Sequence, residues 1–197
     1  MSNTVSPARK LASIGLFAAL TFLASSVLKI PTPTFGYIHL GDGFVLLAGF
    51  LLGPVCGGLA AGIGSALSDL VGGYVVWVPG TFLIKFLTAA AAAQGFQFLQ
   101  NLQRLSNKCR SVIGGNIIEE AKPALSATVL RGILPSGIAG EIVMVAGYFL
   151  YNIVIILFAG GSADTGFATA AALSLAEIPF NLIQGAAGLV LASVLYP

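Results

Sequence analysis

The chain has 197 residues, of which 57% are hydrophobic and only 8% charged, with a formal net charge of +2 and a mean hydropathy of +0.96. A soluble domain carries roughly 25% charged residues. This chain cannot clothe a water-facing surface, which excludes a soluble enzyme, a nucleic-acid binder and a disordered chain, and leaves a polytopic membrane protein. The 25 glycines are nearly double the usual share of ~7% and suit close helix packing in lipid. Cys56 and Cys109 lack metal-ligand spacing and imply no disulfide framework.

Arg9 and Lys10 precede an apolar run from Leu11 to Ile30. The run matches the ~20 residues of a span and exceeds the ~7–15 of a signal-peptide core. It stops at Lys29, Pro31 and Pro33 with no clear cleavage site, and is read as a retained first transmembrane helix. The second apolar stretch, Gly43 to Leu52, ends at Gly53-Pro54. At ~1.5 Å per residue it is too short to cross ~30 Å upright, so it is a tilted, partly protected span or half of a re-entrant hairpin. Gly/Ala-rich Val55 to Val71 makes the third span and Pro79 to Leu99 the fourth. A polar connector over about 100–134 follows, with Glu119, Glu120 and Lys122 beside apolar Val112–Ile118. It is read as a solvated connector or as one that includes a helix lying on the membrane surface. Ser136 to Phe158 is the fifth span. Ala159 to Gly166 is a short Gly-rich loop, and Phe167 to Tyr196 is the sixth span, with a kink expected at Pro179. The expectation is all-α: one transmembrane domain over residues 1–197, an integral membrane bundle of six transmembrane helices.

Six spans put both termini on one side. Arg9, Lys10, Arg104, Lys108, Arg110, Lys122 and Arg131 then share the terminal side, against Lys29 and Lys85 at or near the other. The positive-inside rule makes the terminal side cytoplasmic. A five-span count would set Arg9 opposite the Arg104 cluster, which the rule disfavours.

The sequence carries no GxxxxGK[ST] phosphate loop, so it has no ATP hydrolysis by that route. Its single histidine, His39, rules out an HExxH site. No acidic cluster has metal-ligand spacing. Neither a catalytic group, a metal nor a cofactor is expected.

Ionisable residues at membrane depth mark binding sites or pathways. Here they are Asp69, Lys85, Glu141 and Glu177. Glu141, Tyr148 and Asn152 fall along one line of the fifth span, and Glu177, Asn181 and Gln184 along one face of the sixth. Interhelical glue is the simpler use of such groups, but two stripes each led by Glu favour a ligand site. Lys85 and Asp69 read equally as a structural charge pair or as ligand contacts, Lys85 neutralising Glu141, Glu177 or Asp69. Phe35, Tyr37 and His39 in one outer loop, with Tyr74 and Trp77 in the next, are an interfacial aromatic belt or a lid. Aromatic walls above buried amides and carboxylates suit a small, flat, polar heterocycle. On the first span, Ala12, Gly15 and Ala19 recur at helical spacing after Ala8. Such small residues serve internal packing or the close approach of a separate membrane subunit.

Five segments in order resemble the substrate-binding S components of energy-coupling factor (ECF) vitamin transporters. They are Tyr37-Ile-His-Leu-Gly-Asp-Gly through Leu52-Gly-Pro, Gly62-Ile-Gly-Ser-Ala-Leu-Ser-Asp-Leu, Thr81-Phe-Leu-Ile-Lys, Glu141-Ile-Val-Met-Val-Ala-Gly-Tyr and Glu177-Ile-Pro-Phe-Asn-Leu-Ile-Gln-Gly. Each is loose alone; together they are specific, and the 100–134 stretch is the least alike. The branch is similar to the one assigned to hydroxymethylpyrimidine, pyridoxine-type vitamins and riboflavin. The resemblance implies a six-helix cell-membrane protein with both ends cytoplasmic that binds a vitamin from outside, its partners being a membrane coupling subunit and two ATPases. The family's first helix carries an AxxxA docking motif; here Gly15 to Ala19 takes that place, with Ala8 and Ala12 nearer the end.

The expected function is therefore capture of a small vitamin, a vitamin B6 form or related pyrimidine, for ATP-driven import. Its expected contacts are Tyr37, His39, Trp77, Lys85, Glu141, Tyr148, Asn152, Glu177 and Asn181. The rivals are a stand-alone proton-coupled carrier relaying through Glu141 and Glu177, a membrane ligand sensor, and a membrane enzyme, for which no nucleophile is evident.

Overall fold

The computed structural model describes residues 6–27, 29–31, 37–114, 129–159 and 166–197, with backbone only for 107–114, 129–130 and 159. Helix α1 (Pro7–Val27) leads to a two-stranded ribbon, β1 (Ile30–Pro31) antiparallel to β2 (Tyr37–Ile38), in which Ile30 faces Ile38. Then come α2 (Asp42–Val71), α3 (Val78–Gly114), a π-helical turn (Val129–Ile133), α4 (Leu134–Ala159), α5 (Phe167–Leu175) and α6 (Ile178–Leu195). Among the described residues, five helical stretches are long and apolar enough to cross a membrane: Pro7–Val27, Asp42–Val71, Val78–Ser106, Arg131–Phe158 and Ile178–Leu195. Their outward faces carry residues such as Leu16, Leu83, Leu150 and Val190, as lipid contact requires.

Helix α2 is two arms. Gly53 breaks it at φ 81°, ψ 179°, a conformation for which only glycine lacks a steric penalty, and Pro54 opens the second arm. The arms fold back on each other: a side chain at Gly57 would collide with the backbone of Ala48 and Gly49, and Val45 packs with Ala61. Sixteen residues of straight helix would separate that last pair by ~24 Å. With α5 and α6 as one interrupted pass, the bundle has six. The short arm, 42–52, is buried almost throughout. Gly49 lies against the Ala89 carbonyl of α3 and Gly43 against Leu191 of α6. An arm enclosed by protein need not match the hydrocarbon thickness, which explains its length.

Two boundaries differ from the sequence reading. Helix α3 continues past Leu99 to Gly114, so the first part of the connector is helical; Glu119, Glu120 and Lys122 lie outside the described residues. The last pass breaks at Ala176–Glu177, before Pro179. Pro179 has no N–H for the carbonyl of Leu175, and the turn tightens instead, with Ala176 N–H on Leu173 O at 3.1 Å and Glu177 N–H on Ser174 O at 3.2 Å.

Replacing Gly57 with Val should force the arms of α2 apart at an overpacking cost of ~1–3 kcal/mol or more. It should lower the melting temperature of the detergent-purified protein. Gly166→Ala, with open space around it, should not. Equal melting of the two variants would refute the hairpin geometry.

Candidate functional site

Two turns into α3, Lys85 reaches the carboxylate of Asp42, the first residue of α2, and both side chains are 0% exposed. The other Asp42 oxygen accepts from Gln184 Nε2 at 2.7 Å. Gln184 Oε1 accepts the His39 backbone N–H at 3.0 Å, and His39 Nδ1 accepts the Gly41 N–H at 2.9 Å. The chain from Tyr37 to Gly41 is thereby drawn into the head of the bundle. Burial first, then the nearby Lys85 ammonium, pushes the His39 imidazole down to about 3. It is neutral at physiological pH, and because Nδ1 accepts, the proton sits on Nε2.

A second cluster fixes the other side of the loop. The Tyr37 hydroxyl donates to Asp69 Oδ1 at 2.5 Å. Lys29 donates to the Ser68 carbonyl at 3.0 Å and stands 4.4 Å from the Tyr37 ring centroid. Ser26 at the end of α1 donates to Ser68 Oγ at 3.0 Å. Burial, reinforced by Asp69, raises the Tyr37 hydroxyl so that it stays a donor.

Between the clusters lies a cavity of about 40 Å³. Its aromatic walls are Tyr37, His39, Trp77 and Tyr148; its polar walls are Asp69, Thr81, Asn152, Glu177, Asn181 and Gln184. Trp77 is set by the Tyr148 and Tyr151 rings, at 6.2 and 5.9 Å, and Tyr151 is itself tied to the Val76 carbonyl at 2.7 Å. The Tyr148 hydroxyl donates to Thr81 at 3.3 Å. Such a site can stack a flat ring and hydrogen-bond its edge. Among the described residues no group of three or more His, Cys, Asp or Glu side chains is placed to hold a metal.

Of the nine expected contacts, Tyr37, His39, Trp77, Tyr148, Asn152, Glu177 and Asn181 meet at this cavity. Lys85 and Glu141 do not line it. The Lys85 ammonium lies 5.1 Å from the Tyr148 ring centroid and is held by Asp42, not by Glu141, Glu177 or Asp69 as expected. Glu141 lines a separate cleft between α4 and α6. Asp42 was missed: in Gly41-Asp42-Gly43 it reads as a polar residue at a helix start. Asp69, Thr81 and Gln184 join the walls, Gln184 from the stripe already evident on the sixth span. On α1, Ala12, Gly15 and Ala19 are exposed, with nothing within 4 Å of a side chain added at Gly15.

The protein family described as ECF-type riboflavin transporter, S component, matches residues 6–136. A Pyrococcus woesei protein described as an uncharacterized protein in gap 3'region is 41% identical over 64 residues, which are 32% of this chain and 43% of that protein. The matched region thus spans less than half of that relative. A solved structure described as "Structure and mechanism of the S component of a bacterial ECF transporter" superposes with a TM-score of 0.57 at 18% identity, covering 97% of this chain and 95% of the other. At that identity the likeness is one of fold.

Removing one partner of a buried ion pair strands the other, at ~3–5 kcal/mol. Lys85→Met should therefore lower the melting temperature sharply, and Asp42→Asn combined with Lys85→Met should restore much of the loss. A Lys85→Met protein that melts like the original would show that the pair does not hold the site.

Proposed function

The chain belongs to the ECF-type riboflavin transporter S component family, the substrate-binding subunits of ECF vitamin transporters, and we propose that it captures a single-ring, hydroxylated vitamin for ATP-driven import. A vitamin B6 form or a related pyrimidine fits best. The observation that carries this reading is the cavity itself, where four aromatic side chains and six hydrogen-bonding side chains converge at one end of the bundle. Six hydrogen-bonding side chains set around four aromatic ones suit a ring rich in polar substituents. Riboflavin is the second reading, favoured by the family's description.

The chain has no phosphate loop, which fits energy for import supplied by partners. We propose a membrane coupling subunit with two ATPases, and docking through the exposed Ala12, Gly15 and Ala19 face of α1. The bias of positive charge supports both termini in the cytoplasm and the cavity at the outer face of the cell membrane.

The purified protein should bind its vitamin without ATP or partners. Calorimetry with pyridoxine, hydroxymethylpyrimidine and riboflavin should show tight binding of a single-ring compound, and Asn181→Ala should weaken it about tenfold, since a buried hydrogen-bond partner contributes ~1–3 kcal/mol. Riboflavin bound tightly and alone would overturn the ring-size reading while leaving the family assignment intact.

Binding and coupling should also separate. Gly15→Leu adds bulk to open space, so vitamin affinity should be unchanged while ATP-dependent uptake with the partner subunits is lost. Unchanged uptake would remove this face from the docking surface.

A further inference from the structure

The cleft between α4 and α6 is distinct from the vitamin cavity and about 450 Å³ in volume, within the ~300–1,000 Å³ of small-molecule sites. It opens sideways, since Ile142 and Leu182 on its rims are 63% and 56% exposed. Its walls are otherwise apolar, Phe149 and Leu189 among them, with two exceptions: Asn181, which it shares with the vitamin cavity, and Glu141.

Glu141 is 8% exposed, and neither carboxyl oxygen has a hydrogen-bond partner among the described residues. Gly185 of α6 packs directly on it, since a side chain there would come within 2.8 Å of Glu141 Oε2, so the carboxyl is pressed against α6 at the back of the cleft. The nearby Lys85 ammonium is held by Asp42, whose second oxygen is held by Gln184. A buried carboxyl left this way is costly, and unsatisfied buried groups call for a specific explanation. Glu141 stands seven residues into α4, ~10 Å along the helix axis, which is below the level of phospholipid headgroups.

We infer that this cleft is a second ligand site, which takes a lipophilic primary or secondary amine whose nitrogen pairs with the Glu141 carboxyl. The amine enters from the hydrocarbon as the free base. It accepts the carboxyl proton, so that N–H forms as O–H breaks and an ammonium–carboxylate pair results with no net change in charge. An alcohol or a fatty acid can only hydrogen-bond the protonated carboxyl, whereas an amine takes its proton and gains a charge-assisted pair. The inference does not depend on which vitamin fills the cavity.

The test uses a long-chain alkylamine bearing a tail diazirine, alongside the alcohol and fatty acid of the same chain, on the protein in lipid nanodiscs. Crosslinked peptides are mapped by mass spectrometry. The amine should label residues 138–149 and 178–189, with competition by unlabelled dodecylamine but not by dodecanol or dodecanoate. Labelling should fall about tenfold in Glu141→Gln, as expected for loss of a charge-assisted contact. It should also fall in Ala186→Trp, which fills the cleft from an exposed position. Equal labelling by all three probes, or labelling unchanged in Glu141→Gln, overturns the inference and leaves a crevice filled by lipid tails. If Glu141→Gln does not fold, the competition on the unmodified protein decides.

Discussion

The Asp42–Lys85 pair joins the start of the short central arm to the second turn of α3, with neither group touching solvent. Burying two charges costs several kcal/mol for each ion, and their attraction offsets that only where the remaining lone pairs and protons are satisfied. Gln184 meets that condition on the Asp42 side, and in doing so points its carbonyl at the backbone of His39. One electrostatic requirement therefore sets three things: where the short arm begins, how α6 is rotated, and how deep the loop before α2 descends. Truncating Lys85 would leave Asp42 with Gln184 alone, so the pair is far more expensive to break than to keep.

The polar end of the bundle sits on an apolar one. Leu46, Leu47, Phe50, Ala92, Phe96, Ile133 and Ala192 form a continuous core, with the Phe50 and Phe96 rings 5.2 Å apart and Tyr196 edge-on to Phe96 at 5.7 Å. Glycine makes this packing possible at the crossing points, where a side chain at Gly49 would enter the Ala89 carbonyl and one at Gly188 would enter Asp42. The cavity thus has a closed floor. Glu177 lines the cavity while Glu141 lines the lateral cleft, so the two carboxylates proposed as relays of a proton-coupled carrier open into different spaces. That arrangement suits capture at one face better than a path through the protein.

Much of this was legible in the sequence because membrane burial imposes strong patterns. The spans, the Gly53-Pro54 break and the stripe of Glu177, Asn181 and Gln184 follow from apolar run length, turn chemistry and helical period. The Glu141 stripe divides between two spaces. Tyr148 and Asn152 reach the cavity, but Glu141 lies on the same line ~10 Å lower, beneath the level closed by Lys85 and Tyr148. Helical period reports the face of a residue and not its depth relative to what packs across from it. Asp42 was illegible for a related reason: its partner lies 43 residues away, and an acid at a helix start is ordinary by itself. The length of the short arm became intelligible only once protein was seen around most of it.

The loop over the site is held by two sets of bonds of unequal strength. A cavity of about 40 Å³ is far below the ~300 Å³ of ordinary small-molecule sites, so the loop is closed down over it. On one side, the Tyr37 and Lys29 contacts to Ser68 and Asp69 are part-buried, where water can replace a lost partner and the net cost per bond is ~0.5–1.5 kcal/mol. On the other, the His39 N–H to Gln184 bond is fully buried, and breaking it would also loosen the amide that satisfies Asp42. The contacts on the Tyr37 side are therefore the less costly set to break. Asn181 and Gln184 from α6 and Thr81 from α3 line the polar side of the cavity that Tyr37 borders, on helices tied together by the Asp42–Lys85 pair and the Gln184 bond to Asp42.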